Sequence, residues 1–183
     1  MNACCTIPVN QIAADQHKEG GECCLIEQTP APPRANCPVS KTDSRKINRR
    51  TLEHLLQPAA VNEMQNGQYY YCNQPTCDVV YFSEQAQPHF TKDDLTVKVF
   101  HKETGDDVNV CYCFDWTRGR IKEQIRSTGK STASLEIARL VRDQKCTCDI
   151  TNPKGRCCLG DVNSVIKEVK QQFKSIDQKE MIK

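Results

Sequence analysis

Long apolar runs are absent from this sequence, and none approaches the ~20 residues that a membrane-spanning helix needs. Aromatic residues are scarce at 6%, with a single Trp, and hydrophobic residues reach only 38%. A chain so thinly supplied with core-forming side chains needs disorder, or a constraint beyond hydrophobic burial, to settle its shape. An excess of one charge is missing as well: 25 Lys and Arg face 23 Asp and Glu, with the basic residues scattered. That balance speaks against a nucleic-acid partner and against membrane insertion. The opening residues, MNACCTIPVN, have neither the basic start nor the apolar stretch of an export signal, so a cytoplasmic, reducing location is expected. No Ser/His/Asp set and no metal-protease histidine spacing occurs, and ordinary enzymatic catalysis is not expected. Gly129-Lys130-Ser131-Thr132 has the ending of a phosphate-binding loop, but Gln124 stands where that loop needs Gly, and the segment reads as a helix cap.

What the chain has in quantity is cysteine, 13 of 183 residues. At about 7% this is near the range of disulfide scaffolds. The count is odd and no export signal is seen, which disfavours a disulfide framework. Thiols that stay free in a reducing compartment point instead to metal or redox chemistry.

Three stretches separate by composition. Residues 1–35 carry Cys4–Cys5, Cys23–Cys24 and a Pro-rich run, and read as a flexible tail and linker. Residues 36–104 read as a small β-rich unit. Asn66-Gly67 is a turn signal ahead of QYYYC (68–72), and VVYF (79–82) follows. LTVKVF (95–100) alternates like a half-buried strand, and TLEHLL (51–56) suits a strand or a helical turn equally. Residues 105–176 read as three helices. The first follows Trp116 and Thr117 with Ile121 and Ile125 on one face. The second is capped by Ser131 or Thr132 and carries Leu135, Ala138 and Val141. In the third, Val162, Val165, Ile166, Val169, Phe173 and Ile176 recur at helical spacing, with Asp161 at its positive end. Residues 177–183 form a charged tail. The expected class is α+β.

Six cysteines fall at the ends of the helical elements: Cys111 and Cys113, Cys146 and Cys148, Cys157 and Cys158. Asn152-Pro153-Lys154-Gly155 fits a type I turn that folds Cys148 back toward Cys157 or Cys158. Four thiolates in a rigid site are what an iron–sulfur cluster needs. Zinc is the competing ion, but Cys-x-Cys is less typical of zinc sites than Cys-x-x-Cys. Arg118, Lys145, Lys154 and Arg156 lie near enough in sequence to offset the charge of four thiolates.

VCYCFDWTRGRI and CTCDITNPKGRCCLGDV resemble the N-terminal iron–sulfur domain of CopZ-type copper chaperones, itself related to bacterioferritin-associated ferredoxin. YYYCNQPTCDVVYF is similar to the zinc site of the same family. The resemblance spans about residues 37–170 and implies a β-rich zinc-binding unit followed by a three-helix [2Fe–2S] unit. It implies Cys111, Cys113, Cys148 and Cys158 as cluster ligands, with Cys146 and Cys157 as alternatives, and Cys37, Cys72 and Cys77 as ligands of Zn2+. The family's early Cys-x-x-Cys reads Cys37-Pro38-Val39-Ser40 here, so the fourth zinc ligand is open among Cys23, Cys24, Asp78, His54 and His89, although both histidines read better as satisfied surface residues. The Met-x-Cys-x-x-Cys loop of the family's copper-binding module does not occur in these residues.

The function expected is a metallochaperone that binds a soft ion, Cu+ or Hg2+, through the vicinal tail thiols and reduces Cu(II) to Cu(I). Its partner would be a metal-transport or metal-resistance protein. The alternative is a ferredoxin-like electron carrier or regulator that docks on a redox partner, and a third reading is an all-zinc scaffold.

Overall fold

The computed structural model describes residues 31–85 and 87–180. Cys4, Cys5, Cys23 and Cys24, and with them most of the expected tail, lie outside the described residues. Five short strands form one antiparallel sheet in chain order: β1 (Arg34–Asn36), β2 (Asp43–Ile47), β3 (Tyr69–Tyr71), β4 (Val79–Ser83) and β5 (Phe90–Thr91). Between β2 and β3 run α1 (Arg49–Leu55) and α2 (Pro58–Asn62). TLEHLL therefore belongs to a helix. Asn48 decides this locally, because its side chain accepts from Arg50 N–H at 3.0 Å and caps α1.

The three tyrosines of β3 are all buried, since both faces of the sheet are covered. Tyr69 and Tyr71 pack with Leu52, Leu56 and Ala60 of the helical connection. Tyr70 points the other way, with Ala35, Cys37 and Cys72, and stacks on Phe82 at 5.6 Å between ring centroids.

LTVKVF is not a strand. Leu95 and Val99 are buried as its pattern demands, but only Leu95 bridges, to Leu56. The backbone is satisfied locally instead. A 3₁₀ turn at Lys92–Asp94 is closed by Asp94 accepting from Thr91, and Glu103 accepts from Val99 N–H at 2.5 Å.

The second half opens on a small hairpin, β6 (Asn109–Cys111) and β7 (Trp116–Thr117). Then come α3 (Arg118–Thr128), α4 (Ala133–Arg142), the short α5 (Cys148–Thr151) and α6 (Leu159–Glu180). Gly129, at φ +72°, ends α3 and Thr132 starts α4, so the Gly-Lys-Ser-Thr segment is a helix–helix junction. Ile121, Ile125, Val162, Val165 and Val169 form the core with Trp116. On α4 the buried face is Ala133 and Ile137; Leu135 is 76% exposed and Val141 lies at the surface. This corrects the expected face. α4 packs chiefly on α6, and one contact line on a short helix buries only an i, i+4 pair. α6 continues to Glu180, into the expected charged tail. No helix among the described residues is long and apolar enough to cross a membrane. The architecture is α+β, a five-stranded antiparallel sheet with one cysteine cluster followed by a helical region with a second.

Candidate metal centres

β1 and β3 are both antiparallel to β2, so their C-terminal ends lie at one end of the sheet, where β4 begins. Cys37 follows β1, Cys72 follows β3 and Cys77 precedes β4. Topology thus brings the three together, with all Sγ atoms within 4.8 Å of one another and all three residues buried. Cys37 and Cys77 sulfurs are 4.0 Å apart. Ser40 Oγ lies 3.4 Å from Cys72 Sγ and accepts from Thr42 N–H. Lys102 donates its ammonium protons to Gln74 O and Cys77 O, at 2.8 and 2.9 Å, which sets a cation beside the thiols. Burial pushes the Cys72 thiol up and the Lys102 ammonium down. Burial opposes ionisation of Cys37 too, but hydrogen bonds from Ser40 and the local backbone outweigh it and hold that thiol below its ordinary value. Three convergent buried thiols with a neighbouring cation suit a zinc ion. No further Cys, His, Asp or Glu among the described residues joins them. Asp78 is exposed and pairs with Lys92, and His89 has a buried Nδ1 without a hydrogen-bond partner, unlike the satisfied surface residue expected.

The second set lies where the hairpin meets α5 and α6. Cys113 Sγ is 3.4 Å from Cys148 Sγ and 3.9 Å from Cys146 Sγ, and Cys146 and Cys148 are 3.2 Å apart. Cys111 and Cys158 lie buried in the same core, close enough that their thiols shift one another's ionisation. Cys111, Cys148 and Cys158 belong to the helical core, Cys113 and Cys146 are half-buried, and Cys157 is exposed. The group that converges is Cys113, Cys146 and Cys148, whose sulfurs all lie within 4.8 Å of one another, with Cys111 and Cys158 buried in the core beside it and Cys157 exposed.

Cys113 is lowered to about 5, first by its hydrogen bond with Cys148 and then by the hydroxyls of Thr151, at 3.1 Å, and Thr147. Cys158 is lowered to about 4 by Cys111 and Cys148, with Lys154 adding a cationic contribution. Their donors, Cys111 and Cys148, are pushed up in return. A donor set of thiols, two of them ready to ionise, fits a thiolate-held cluster or ion. Sequence reasoning missed the two threonines; their signal was an i, i+4 pair around Cys148.

The CopZ-type zinc-finger family, described as a zinc binding domain, matches residues 34–96, the sheet and its triad. The copper chaperone CopZ of Archaeoglobus fulgidus is 32% identical over 122 residues, 67% of this chain and 57% of that protein. The X-ray structure of the Archaeoglobus fulgidus CopZ N-terminal domain matches with a TM-score of 0.59 at 27% identity, covering 72% of this chain and 97% of the domain. This chain is a homologue of the CopZ N-terminal domain. It spans little more than half the length of the curated CopZ it matches.

In this CopZ-type chain the sheet reaches over to hold the second cysteine loop. The expected turn is present: Gly155 N–H donates to Asn152 O at 2.7 Å, with Gly155 at φ +62°. A Cβ there would also come within 3.3 Å of Ile47. Thr51, on α1, donates to Asp149 O at 2.5 Å, and Tyr81, on β4, donates to Pro153 O at 2.8 Å. Of the four cations expected to balance the thiolates, Lys154 acts on Cys158 and also pairs with Asp161. Arg118 is committed elsewhere, donating to Glu103 O and Phe100 O over the Phe100 ring. Lys154 and Arg156 also line a cleft of about 310 Å³ with Arg34, Arg45, Lys46 and His101.

Proposed function

We propose that the described domain holds a [2Fe–2S] cluster on Cys111, Cys113, Cys148 and Cys158 and a zinc ion on Cys37, Cys72 and Cys77, and serves a cytoplasmic metallochaperone for a soft ion such as Cu+ or Hg2+. The observation that carries it is the convergence of two separate thiol sets, each at the junction of rigid elements, in a homologue of a copper chaperone's N-terminal domain. A [2Fe–2S] cluster would supply one-electron chemistry, which is what reduction of Cu(II) cargo to Cu(I) demands; zinc, without redox chemistry, would brace the sheet. The chain's own residues do the rest. Thr147 and Thr151 donate to the Cys113 sulfur, Lys154 balances Cys158, and burial of Cys111, Cys148 and Cys158 keeps water from the sulfurs.

Protein purified without oxygen should be coloured and carry about two iron, two sulfide and one zinc per chain. Cys158→Ser should lose the colour and keep the zinc. A colourless, zinc-only protein would sink the cluster reading.

One observation favours the second reading, an electron carrier or regulator acting on a redox partner. Among the described residues every cysteine except Cys157 lies in one of the two thiol groups or is buried beside one, which leaves soft-ion cargo to the tail thiols. The quadruple variant Cys4→Ser, Cys5→Ser, Cys23→Ser, Cys24→Ser separates the two. A chaperone loses Cu+ binding in it, whereas a carrier keeps its full electron-transfer rate.

A further inference from the structure

Among the described residues the Cys37–Cys72–Cys77 triad offers a zinc ion one ligand too few. Structural zinc is four-coordinate, and sites with three protein ligands keep a position for an exchangeable fourth. Cys37, Cys72 and Cys77 supply three sulfurs, and no other Cys, His, Asp or Glu among the described residues comes within reach. The remaining neighbour is Ser40, whose Oγ is 3.4 Å from Cys72 Sγ. A neutral hydroxyl is a poor partner for an ion already held by soft thiolates. This one accepts from Thr42 N–H, so its own proton is free to point at the Cys72 sulfur. Ser40 thus steadies a thiolate without replacing one.

Access and charge agree on what could fill the gap. The three cysteines are at most 6% exposed, while Ser40 is half-buried and Val39 beside it is 62% exposed. Among the described residues Ser40, in contact with the Cys72 sulfur and only half-buried, gives the triad one approach from solvent. Lys102, which donates to Cys77 O at 2.9 Å, sets an ammonium beside the three thiols and favours an anionic newcomer. Tyr70, Val79 and Phe82 form the apolar surround, which suits sulfur better than water.

We propose that the ion at the Cys37–Cys72–Cys77 site keeps its fourth position, on the Ser40 side, open to an exchangeable thiolate, so that the site is a docking point for a thiol. The inference rests on zinc occupying the triad. On docking, the thiol gives its proton to solvent and displaces a water, a zinc–sulfur bond forms as a zinc–oxygen bond breaks, and no oxidation state changes. The thiolate has two possible sources, a cysteine of residues 1–30 or a small thiol such as glutathione.

Zinc K-edge absorption on anaerobically isolated full-length protein at one zinc per chain counts the sulfurs. The quadruple serine variant at positions 4, 5, 23 and 24 should show three sulfurs and one light atom alone, and four sulfurs with millimolar glutathione. In the unsubstituted chain, four sulfurs without added thiol assign the tail as the source, and three assign an external thiol. Ser40→Cys should show four sulfurs throughout, ignore glutathione, and slow zinc loss to a chromophoric chelator at least about tenfold. The proposal is overturned by four sulfurs in the thiol-free quadruple variant, by three under saturating glutathione, or by a Ser40→Cys protein that still responds to thiol. Absence of zinc from the isolated protein, read by metal analysis, removes the zinc reading itself and is told apart in that way.

Discussion

Cys113 is the thiol whose ionisation is easiest to observe, being half-buried and lowered to about 5, while burial pushes its neighbour Cys146 up. The thiolate is the nucleophile, so in metal-free protein iodoacetamide should label Cys113 ahead of Cys146 at pH 6–7. The sign follows from the lowered value: the Cys113 rate is flat above about pH 6 and falls as pH drops through about 5. Thr151→Val, which removes one donor to the sulfur, should move that midpoint up by about one unit. Site-resolved mass spectrometry across pH reads both, and equal labelling of the two cysteines would show the threonines to be bystanders. At this scale the sequence was most legible where residue type and chemistry coincide. Cysteines announce themselves; the hydroxyls that tune them do not, because Thr147 and Thr151 gain meaning only once Cys113 arrives from 34 and 38 positions away.

Secondary structure was legible where local chemistry decides it. The helix junction at Gly129–Thr132 and the Asn152–Gly155 turn are used as their residue types suggest, while the Asn48 cap that makes TLEHLL a helix is equally local but sequence reasoning missed it. It failed where tertiary partners decide. LTVKVF has a strand's alternation, yet only Leu95 bridges and its backbone is satisfied by the preceding turn and by Glu103, and α4 packs chiefly on α6, which chooses its buried face. The hydrogen bonds from Thr51 and Tyr81 to the cysteine loop, spanning 98 and 72 residues, leave no trace in spacing at all. Tyr81→Phe strips the buried carbonyl of Pro153 of its donor. It should cost about 1–3 kcal/mol in denaturant unfolding of the loaded protein and hasten bleaching of its visible absorption in air. An unchanged bleaching rate would show that the loop stands without this tie.

Seen as a whole, the near-neutral chain hides a local imbalance. The basic residues look scattered in sequence, yet the fold collects Arg34, Arg45, Lys46, Lys154 and Arg156 around one cleft. Asp43 and Asp161 answer two of them; Arg45, Lys46 and Arg156 have no ion pair among the described residues. Oxidation of the reduced protein by hexacyanoferrate, a small multivalent anion, should therefore be several-fold faster than in Arg45→Glu/Arg156→Glu at low salt. The gap should close near 1 M salt, where the screening length is about 3 Å. Stopped-flow traces at several ionic strengths test this, and a salt-independent ratio would remove the cleft from the electron path.

The Tyr81 hydroxyl on Pro153 has a thermodynamic corollary. β4 begins two residues after Cys77, and its central tyrosine grips the loop between Cys148 and Cys158. If filling the triad stiffens that strand, it lowers the ordering entropy left for the loop. By reciprocity, filling the loop must then tighten zinc by the same factor. Zinc affinity measured with and without the cluster should differ, and Tyr81→Phe should bring the two values together.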